Sequence, residues 1–219
     1  MKKFPCTGVI LAGGLNRRFS GREKALIRFG DTRIIERILA VLENLFKEII
    51  LVTNSPLNYT EWDTFIATDI IPVRSALTGI HTGLFYASYD YAFICAGDAP
   101  FLNEEVIKIL LNAMEPRWDV IIPETSAGLE PLCAVYSKQM LSTIEGNLAR
   151  NRFKIRQSFR KGRVKKIKES ILREKDPELL SFFNVNTPED LDRALRIEKE
   201  TKNEHRTLNV EHRTPNGKR

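Results

Sequence analysis

Leu11-Ala12-Gly13-Gly14-Leu15-Asn16-Arg17-Arg18-Phe19-Ser20-Gly21-Arg22-Glu23-Lys24 follows directly on the apolar run Gly8-Val9-Ile10-Leu11. The run reads as a buried strand. A strand that empties into glycines and then into Arg17, Arg18 and Lys24 is suited to meet an anion. Glycines let backbone N–H groups approach phosphate oxygens with no Cβ in the way, and the cations neutralise the charge. No Gly-Lys-Ser/Thr ending follows the glycines, so the segment is not a Walker A loop. The hydroxyl that would hold a magnesium ion is missing with it, and the metal ligand must come from elsewhere in the chain.

Outward from this loop, apolar runs alternate with helical periods. The strands expected are Gly8–Ala12, Glu48–Thr53, Phe65–Asp69, Tyr91–Ala96, Val120–Pro123 and Leu132–Tyr136, with a short one near Arg163–Ile167. Several are apolar on both faces, as central parallel strands are when helices cover both sides. Helices are expected over Thr32–Phe46, Leu77–Ser88, Asn103–Met114, Ser137–Glu145 and Pro188 to about Glu198. The first carries Ile34, Ile35, Ile38, Leu39, Leu42 and Leu45 at helical spacing, after Asp31 and Thr32, either of which could cap it. The alternation predicts an α/β fold, a doubly wound and mostly parallel sheet in a single domain over residues 1–200. In such sheets ligands bind beyond the carboxyl ends of the strands, where the Gly-rich loop lies.

A second strand ends in a carboxylate. Tyr91-Ala92-Phe93-Ile94-Cys95-Ala96 stops at Gly97-Asp98-Ala99-Pro100-Phe101. Gly97 lets the backbone turn, Pro100 prevents further pairing, and Asp98 is left at the carboxyl edge. There it could bind Mg2+, a hard cation that takes one or two carboxylates and keeps positions for water and phosphate. Its bland alternative is a turn cap before the Asn103–Met114 helix. Asn54 and Asp69 end strands on the same edge; they are either hydrogen-bonding groups for a base or ribose or ordinary turn residues. Phe182-Phe183-Asn184-Val185-Asn186-Thr187-Pro188 reads as a strand with both asparagines on one face. Thr187 then caps a helix with Pro188 at its first position.

The 219 residues, 42% hydrophobic and 28% charged, are enough for one buried core. No apolar run reaches the roughly 18–20 residues of a membrane helix. The basic start Met1-Lys2-Lys3-Phe4-Pro5 lacks the apolar stretch of a secretory signal. Cys6, Cys95 and Cys133 are widely spaced and form no metal pattern, which suits reduced thiols in a cytoplasmic protein. The net charge is +6, and twelve cations crowd the stretch Arg150–Lys175. That stretch lacks the interleaved aromatics of a single-strand binder and the spacing of a recognition helix, so no nucleic-acid partner is expected. It reads as a solvated basic face, with attraction of a polyanionic small molecule or an acidic protein as the alternative. His81 falls in the Leu77–Ser88 helix with no partner assigned. Thr201–Arg219 is polar, contains a near repeat around His205 and His212, and is expected to be a disordered tail.

Taken together, Leu11-Ala12-Gly13-Gly14 with Arg18, Gly21 and Lys24, then Gly97-Asp98-Ala99-Pro100-Phe101, then Asn184-Val185-Asn186-Thr187-Pro188-Glu189-Asp190-Leu191, resemble the molybdenum cofactor guanylyltransferase family. The likeness runs from about Thr7 to Arg196. Phe19 stands where Met is commoner, and Ser75-Ala76-Leu77-Thr78-Gly79 replaces a Gly-Pro-Leu-x-Gly turn. The resemblance implies transfer of GMP from GTP to the terminal phosphate of molybdenum-bearing molybdopterin, with release of pyrophosphate. It implies that Leu11, Ala12 and Gly13 contact the nucleotide through their backbone and that Lys24 binds its phosphates. Asn54 and Asp69 would then contribute to the guanine nucleotide pocket. Asp98 would hold Mg2+ and border the nucleotide, and Asn184 and Asn186 would lie on the acceptor side. Lys24, Asp98 and Arg18 are the expected catalytic residues. Expected partners are GTP, the molybdopterin acceptor and chaperones of particular molybdoenzymes, for a monomer with no membrane association. The alternatives are a cytidylyl- or sugar-phosphate nucleotidyltransferase with the same loop, and a GTP-binding adaptor that delivers cofactor without catalysis.

Overall fold

The computed structural model describes residues 3–13, Phe19, 23–159 and 163–211, with side chains as far as Thr201. Strand β1 (Phe4–Leu11) lies at the centre of the sheet, hydrogen-bonded in parallel to β4 (Phe46–Val52) on one side and to β6 (Tyr91–Ala96) on the other. Beyond β4 lies β5 (Phe65–Ala67), also parallel. Beyond β6 the sheet continues through β9 (Cys133–Ser137), β7 (Val120–Thr125) and β10 (Val164–Lys168). β9 runs antiparallel to both of its neighbours, and β10 pairs in parallel with β7. The short β8 (Gly128–Leu129) folds back antiparallel on β7. The sheet is therefore mixed but mostly parallel. Chain order reverses at β1, whose successors in the sheet depart in opposite directions.

Alternation along the buried strands sends residues to two separate cores. Cys6 and Ile10 of β1, with Phe93 and Cys95 of β6, face α1 (Ile34–Leu45) and α3 (Glu104–Asn112). Val9, Ala92 and Ile94 face the opposite core with α2 (Ala76–Tyr86) and α4 (Leu141–Leu148). The period-two pattern with apolar residues in both registers is what burial on both faces requires. On the first face Phe46 stacks on Phe93 with ring centroids 5.9 Å apart, above the Cα of Gly8. Cys6, Cys95 and Cys133 are all unpaired and buried. Burial pushes the Cys6 thiol up to about 12 and raises the other two as well, so none is a ready thiolate.

Local signals hold at most element ends and fail at three. Ser75 caps α2 by accepting from the Thr78 N–H, and Asn103 caps α3 by accepting from Glu105 and Val106. Helix α1 begins at Ile34, not Thr32, and neither Asp31 nor Thr32 caps it. Gly30 takes φ +62°, which turns Arg28–Phe29 (β2) back on Thr32–Arg33 (β3) as a small hairpin. The helix start is secured instead by the Arg33 N–H donating to Glu36 Oε2 at 2.7 Å. Residues 183–186 form no strand: the Phe183 N–H turns back to the Leu180 carbonyl at 2.9 Å, and the Val185 N–H donates to the Asp98 carbonyl at 2.9 Å. The closing helix α7 (Pro188–Glu211) runs past the expected end near Glu198, so residues 201–211 of the expected disordered tail are helical. After Pro188 the first helix breaker is Pro215, which lies with the rest of 212–219 outside the described residues. Short helices α5 (Ile155–Ser158) and α6 (Glu169–Arg173) complete the order.

The crowded cations of the second half are partly neutralised by the fold. Lys166 meets Glu124 at 2.7 Å, Arg163 meets Asp119 at 2.9 Å and Arg173 meets Glu169 at 2.8 Å. Residues 160–162 of that segment lie outside the described residues. Exposed pairs of this kind add little stability but cancel the local field.

Helix α2 lies flush on β1 because Gly83 has no side chain; a Cβ there would sit 2.6 Å from Val9 Cγ1. Alanine ordinarily stabilises a helix interior over glycine by about 1 kcal/mol. Here the sign reverses: Gly83→Ala is expected to lose about 1–3 kcal/mol in urea unfolding, because the β-branched, buried Val9 has nowhere to move. Coupled to Val9→Ala in a double-mutant cycle, that loss shrinks towards zero. A single variant as stable as the parent would contradict the flush packing.

Candidate functional site

Four strands deliver their carboxyl ends to one cleft of about 310 Å³. β1 supplies Leu11, Ala12 and Gly13; β4 leads to Thr53 and Asn54; β5 leads to Asp69; and β6 leads to Gly97 and Asp98. Backbone bonds continue across these ends past the strands themselves. Ala12 N donates to Val52 O at 2.9 Å, Thr53 N to Ala67 O at 2.9 Å, and Gly97 N to Leu11 O at 2.9 Å. The Gly97 junction is tight. A Cβ on Gly97 would sit 3.0 Å from the Leu11 carbonyl oxygen and 3.1 Å from Ala12 Cα, so any side chain there would push this backbone apart by a few tenths of an ångström. At Gly13 the situation is different. A Cβ there would approach nothing described more closely than Asn54 Nδ2, at 3.9 Å, and so would occupy open space beside that side chain.

Lys24 opens the short 3₁₀ turn Lys24–Leu26, which is pinned by buried Ala25 and by Ile27 N donating back to Lys24 O at 3.1 Å. Its ammonium reaches across the cleft to Asp98 Oδ2 at 2.9 Å and donates to Asn186 Oδ1 at 2.8 Å. Both members of the Lys24–Asp98 pair are about four-fifths covered, at 22% and 19% side-chain exposure, so their charges are only partly screened. Asn186 is placed by the α7 start: Asp190 Oδ2 accepts from the N–H groups of Asn186 (3.0 Å) and Thr187 (2.9 Å), and Thr187 Oγ1 accepts from Asp190 N at 3.2 Å. This is the reciprocal capping expected of Thr-Pro-Glu-Asp. The cap of α3 is Asn103, so Asp98 is not used as a helix cap.

At the other end of the cleft Asn54 Nδ2 donates to Asp69 Oδ2 at 2.7 Å. Burial pushes the Asp69 carboxyl above its ordinary value, against the opposing pulls of Asn54, Arg74 and Thr82. The first turn of α2 also reaches the cleft, through Ser75 and Ala76. A helix N-terminus adds unpaired N–H groups and a favourable dipole for an anion.

Leu11, Ala12, Gly13, Lys24, Asn54, Asp69 and Asp98 all line this one cleft. Asn186 joins it through Lys24, whereas Asn184 is half-buried beside it and offers its carbonyl to Asn186 Nδ2 at 3.5 Å. Arg18, with Gly14 to Arg17, lies outside the described residues. Sequence reasoning missed Arg74 and Glu23, which also line the cleft. Arg74 had one available signal, its place directly before the Ser75 cap. Glu23 had none, because its contact with the Tyr59 hydroxyl (3.3 Å) is made only in the fold. His81 is paired after all: its Nε2 meets Glu145 Oε1 at 3.0 Å, between α2 and α4 and away from the cleft lining.

All-oxygen donors are what a hard divalent cation takes, and Asp98 presents a carboxylate in the cleft that Leu11, Ala12 and Gly13 also line. Among the described residues no group of three or more His, Cys, Asp or Glu side chains could hold a metal by itself. A cation here would therefore need oxygens from a bound nucleotide, as magnesium commonly does. Among the same residues no helix is long and apolar enough to cross a membrane.

Comparison with known proteins agrees with this geometry. Residues 8–165 match the MobA-like NTP transferase domain. A protein of Desulfosudis oleivorans named molybdenum cofactor guanylyltransferase is 44% identical over 188 residues, covering 86% of this chain and 93% of its own. One of Natranaerobius thermophilus, named a probable molybdenum cofactor guanylyltransferase, is 39% identical over 193 residues, covering 86% and 94%. The crystal structure of molybdopterin-guanine dinucleotide biosynthesis protein A from Archaeoglobus fulgidus superposes with a TM-score of 0.79 at 27% identity, over 89% of this chain and 99% of that one. With a glycine loop, a lysine and a strand-end aspartate gathered at the reversal point of a mostly parallel sheet, the chain belongs to the MobA-like NTP transferases, a family of nucleotidyltransferase enzymes.

Proposed function

We propose that this chain transfers GMP from GTP to the terminal phosphate of molybdopterin bearing molybdenum, releasing pyrophosphate. The observation that carries the reading is the meeting of Lys24 and Asp98 at 2.9 Å, from segments 74 residues apart, on the floor of the cleft that the glycine loop opens. The names of the relatives support the acceptor and the base, and the Lys24–Asp98 pair in the cleft supports this as the place of reaction.

The attacking group is already an anionic phosphate oxygen, so no strong general base is needed. The chemical problem is to bring two anions together in line, and charge neutralisation and positioning solve it. Backbone N–H groups of the Leu11–Gly13 end would hold phosphate oxygens, with Lys24 and, from the sequence, Arg18 offsetting their charge. Asp98 would hold Mg2+, which when bound polarises the phosphoryl oxygens and neutralises departing charge. Asn54 and Asp69 would meet the nucleoside. The Asp69 carboxylate is acceptor-only when ionised, which suits the adjacent N–H donors on the Watson–Crick edge of guanine and opposes the acceptor-rich edge of cytosine. Asn184 and Asn186 would lie towards the acceptor, on the far side of Asp98 from the base.

Pyrophosphate release measured with GTP, CTP, ATP and UTP, each with and without molybdenum-bearing molybdopterin, tests the reading. Acceptor-dependent release with GTP is expected. Release with another nucleotide assigns a sister transferase, and GTP binding with no release under any condition assigns a delivery adaptor. In the same assay Lys24→Ala and Asp98→Ala are each expected to lower turnover by roughly 10²-fold or more, the scale of removing one electrostatic group from such a site. Near-normal turnover removes that residue from the mechanism.

Asp69 gives a stability prediction independent of turnover. Its folded carboxyl titrates above the unfolded value of about 3.9, so the folded state holds the proton longer than the unfolded state. The contribution of this group to stability is therefore greatest below the unfolded value and is lost as pH rises through the folded one. Asp69→Asn keeps an acceptor for Asn54 and removes the buried charge. Urea midpoints should favour the variant increasingly from pH 4 to pH 7.5. A gap that stays constant or turns against the variant over that range would show that the charge at Asp69 is not penalised.

A further inference from the structure

We propose that Asn186 is a positioning residue for Lys24, holding its ammonium on Asp98 so that the carboxylate is closed to a divalent cation until nucleotide phosphates draw the ammonium away. The inference rests on the reading of Asp98 as the metal ligand and goes beyond it. Three facts carry it. Asp98 and Asn186 are tied to each other, by Val185 N donating to Asp98 O at 2.9 Å and by the Asp190 cap on the Asn186 N–H. The Lys24 backbone is equally fixed by its 3₁₀ turn, so the long Lys24 side chain is the part free to swing. The ammonium donates to both acceptors at once, 2.9 Å to Asp98 Oδ2 and 2.8 Å to Asn186 Oδ1. It thus occupies the position of charge compensation that a metal would take.

An ammonium and a dication repel at such range in a partly covered cleft, so Lys24 on Oδ2 disfavours a cation on the same carboxylate. A cation arriving alone must first displace Lys24 from two anchors, and its apparent affinity falls by the fraction of time Asp98 is open. A triphosphate changes the competition, because it brings several anionic oxygens and more negative charge than one carboxylate. Lys24 moves to the phosphates, Asp98 is released, and the cation enters with the nucleotide. Metal and nucleotide then bind with positive coupling, which by linkage is the same factor whichever is added first. The arrangement keeps the empty site free of metal and makes Asn186, on the acceptor side, a determinant of metal affinity on the nucleotide side.

The test uses the purified full chain and Mn2+, with free metal read by electron paramagnetic resonance, alone and with the non-reacting α,β-methylene analogue of GTP. Without nucleotide, Lys24→Met and Lys24→Gln are each expected to bind Mn2+ about 10-fold more tightly than the parent, since the competing ammonium is gone. Asn186→Ala, which changes no charge, should tighten it by about 3-fold, the loss of one neutral acceptor. In all three the gain in Mn2+ affinity on adding the analogue should shrink. Arg74→Met removes the same charge from the same cleft without touching Asp98, and should tighten Mn2+ much less. Equal tightening by Arg74→Met would overturn the inference, because general charge then explains the effect. Unchanged Mn2+ affinity in both Lys24 variants would overturn it as well, while loss of binding in Asp98→Asn leaves Asp98 as the ligand. Mn2+ binding with the analogue that survives Asp98→Asn would remove the metal reading itself, and this inference with it.

Discussion

The contact between Gly97 and the backbone of Leu11 and Ala12 fixes everything that happens in the cleft. Parallel pairing of β1 with β6 ends there in one last hydrogen bond, 2.9 Å from Gly97 N to Leu11 O, where even a Cβ would crowd the backbone. That bond places Leu11–Gly13 and the acid-bearing turn on a shared edge, lining one cleft. The strands behind it are buried on both faces, so the edge is rigid and its position is set by two cores at once. In sheets whose chain order reverses, such an edge is where the two loops on either side part and leave a crevice.

Within the crevice, charge and geometry divide the work. The Lys24–Asp98 pair is formed across the reversal, and Asn186 reaches it from the start of the last helix. A second polar pair, Asn54 with Asp69, stands at the opposite end. The interval between the pairs is walled by glycine and by the first turn of α2, and it offers backbone N–H groups in place of side chains. Such a site suits phosphoryl transfer between anions, which asks for neutralisation and alignment more than for a nucleophile. The chemistry of the remaining side chains agrees: all three thiols are buried and held protonated, and His81 is engaged with Glu145.

The last helix links distant parts of this arrangement. Its first turn positions Asn186 against Lys24. Three turns later Glu198, 8% exposed, receives Arg37, whose guanidinium also lies over the Phe29 ring at 4.3 Å. The β2–β3 hairpin, which follows the Lys24 turn in the chain, is thus held by the same helix that presents Asn186. The cation-rich segment before it contributes by a different route. Lys166, Arg163 and Arg173 each meet a neighbouring acid, which offsets part of the charge of this basic stretch.

Strand ends and the residues on them were legible because their signals are local. An apolar run that meets Gly-Gly or Gly-Asp tends to stop, and Thr187 writes its own helix cap. The stripe of Ile34 to Leu45 likewise states which face is buried. The β2–β3 hairpin was not legible, since two-residue strands carry no period and Gly30 betrays its positive φ only in place. Nor was the antiparallel direction of β9, whose sequence reads like any buried strand; direction depends on where the chain comes from, not on which residues pair. Composition misjudged residues 201–211, because polar residues without breakers continue a helix that an earlier turn has already nucleated. By itself, then, the sequence determined the main strands and helices, most of the residues that end them, and the family. Only the tertiary structure decided that Lys24 shares its ammonium between an aspartate 74 residues away and an asparagine 162 residues away. Side-chain partners so remote in sequence are chosen by the order of strands in the sheet, and no spacing along the chain encodes that order.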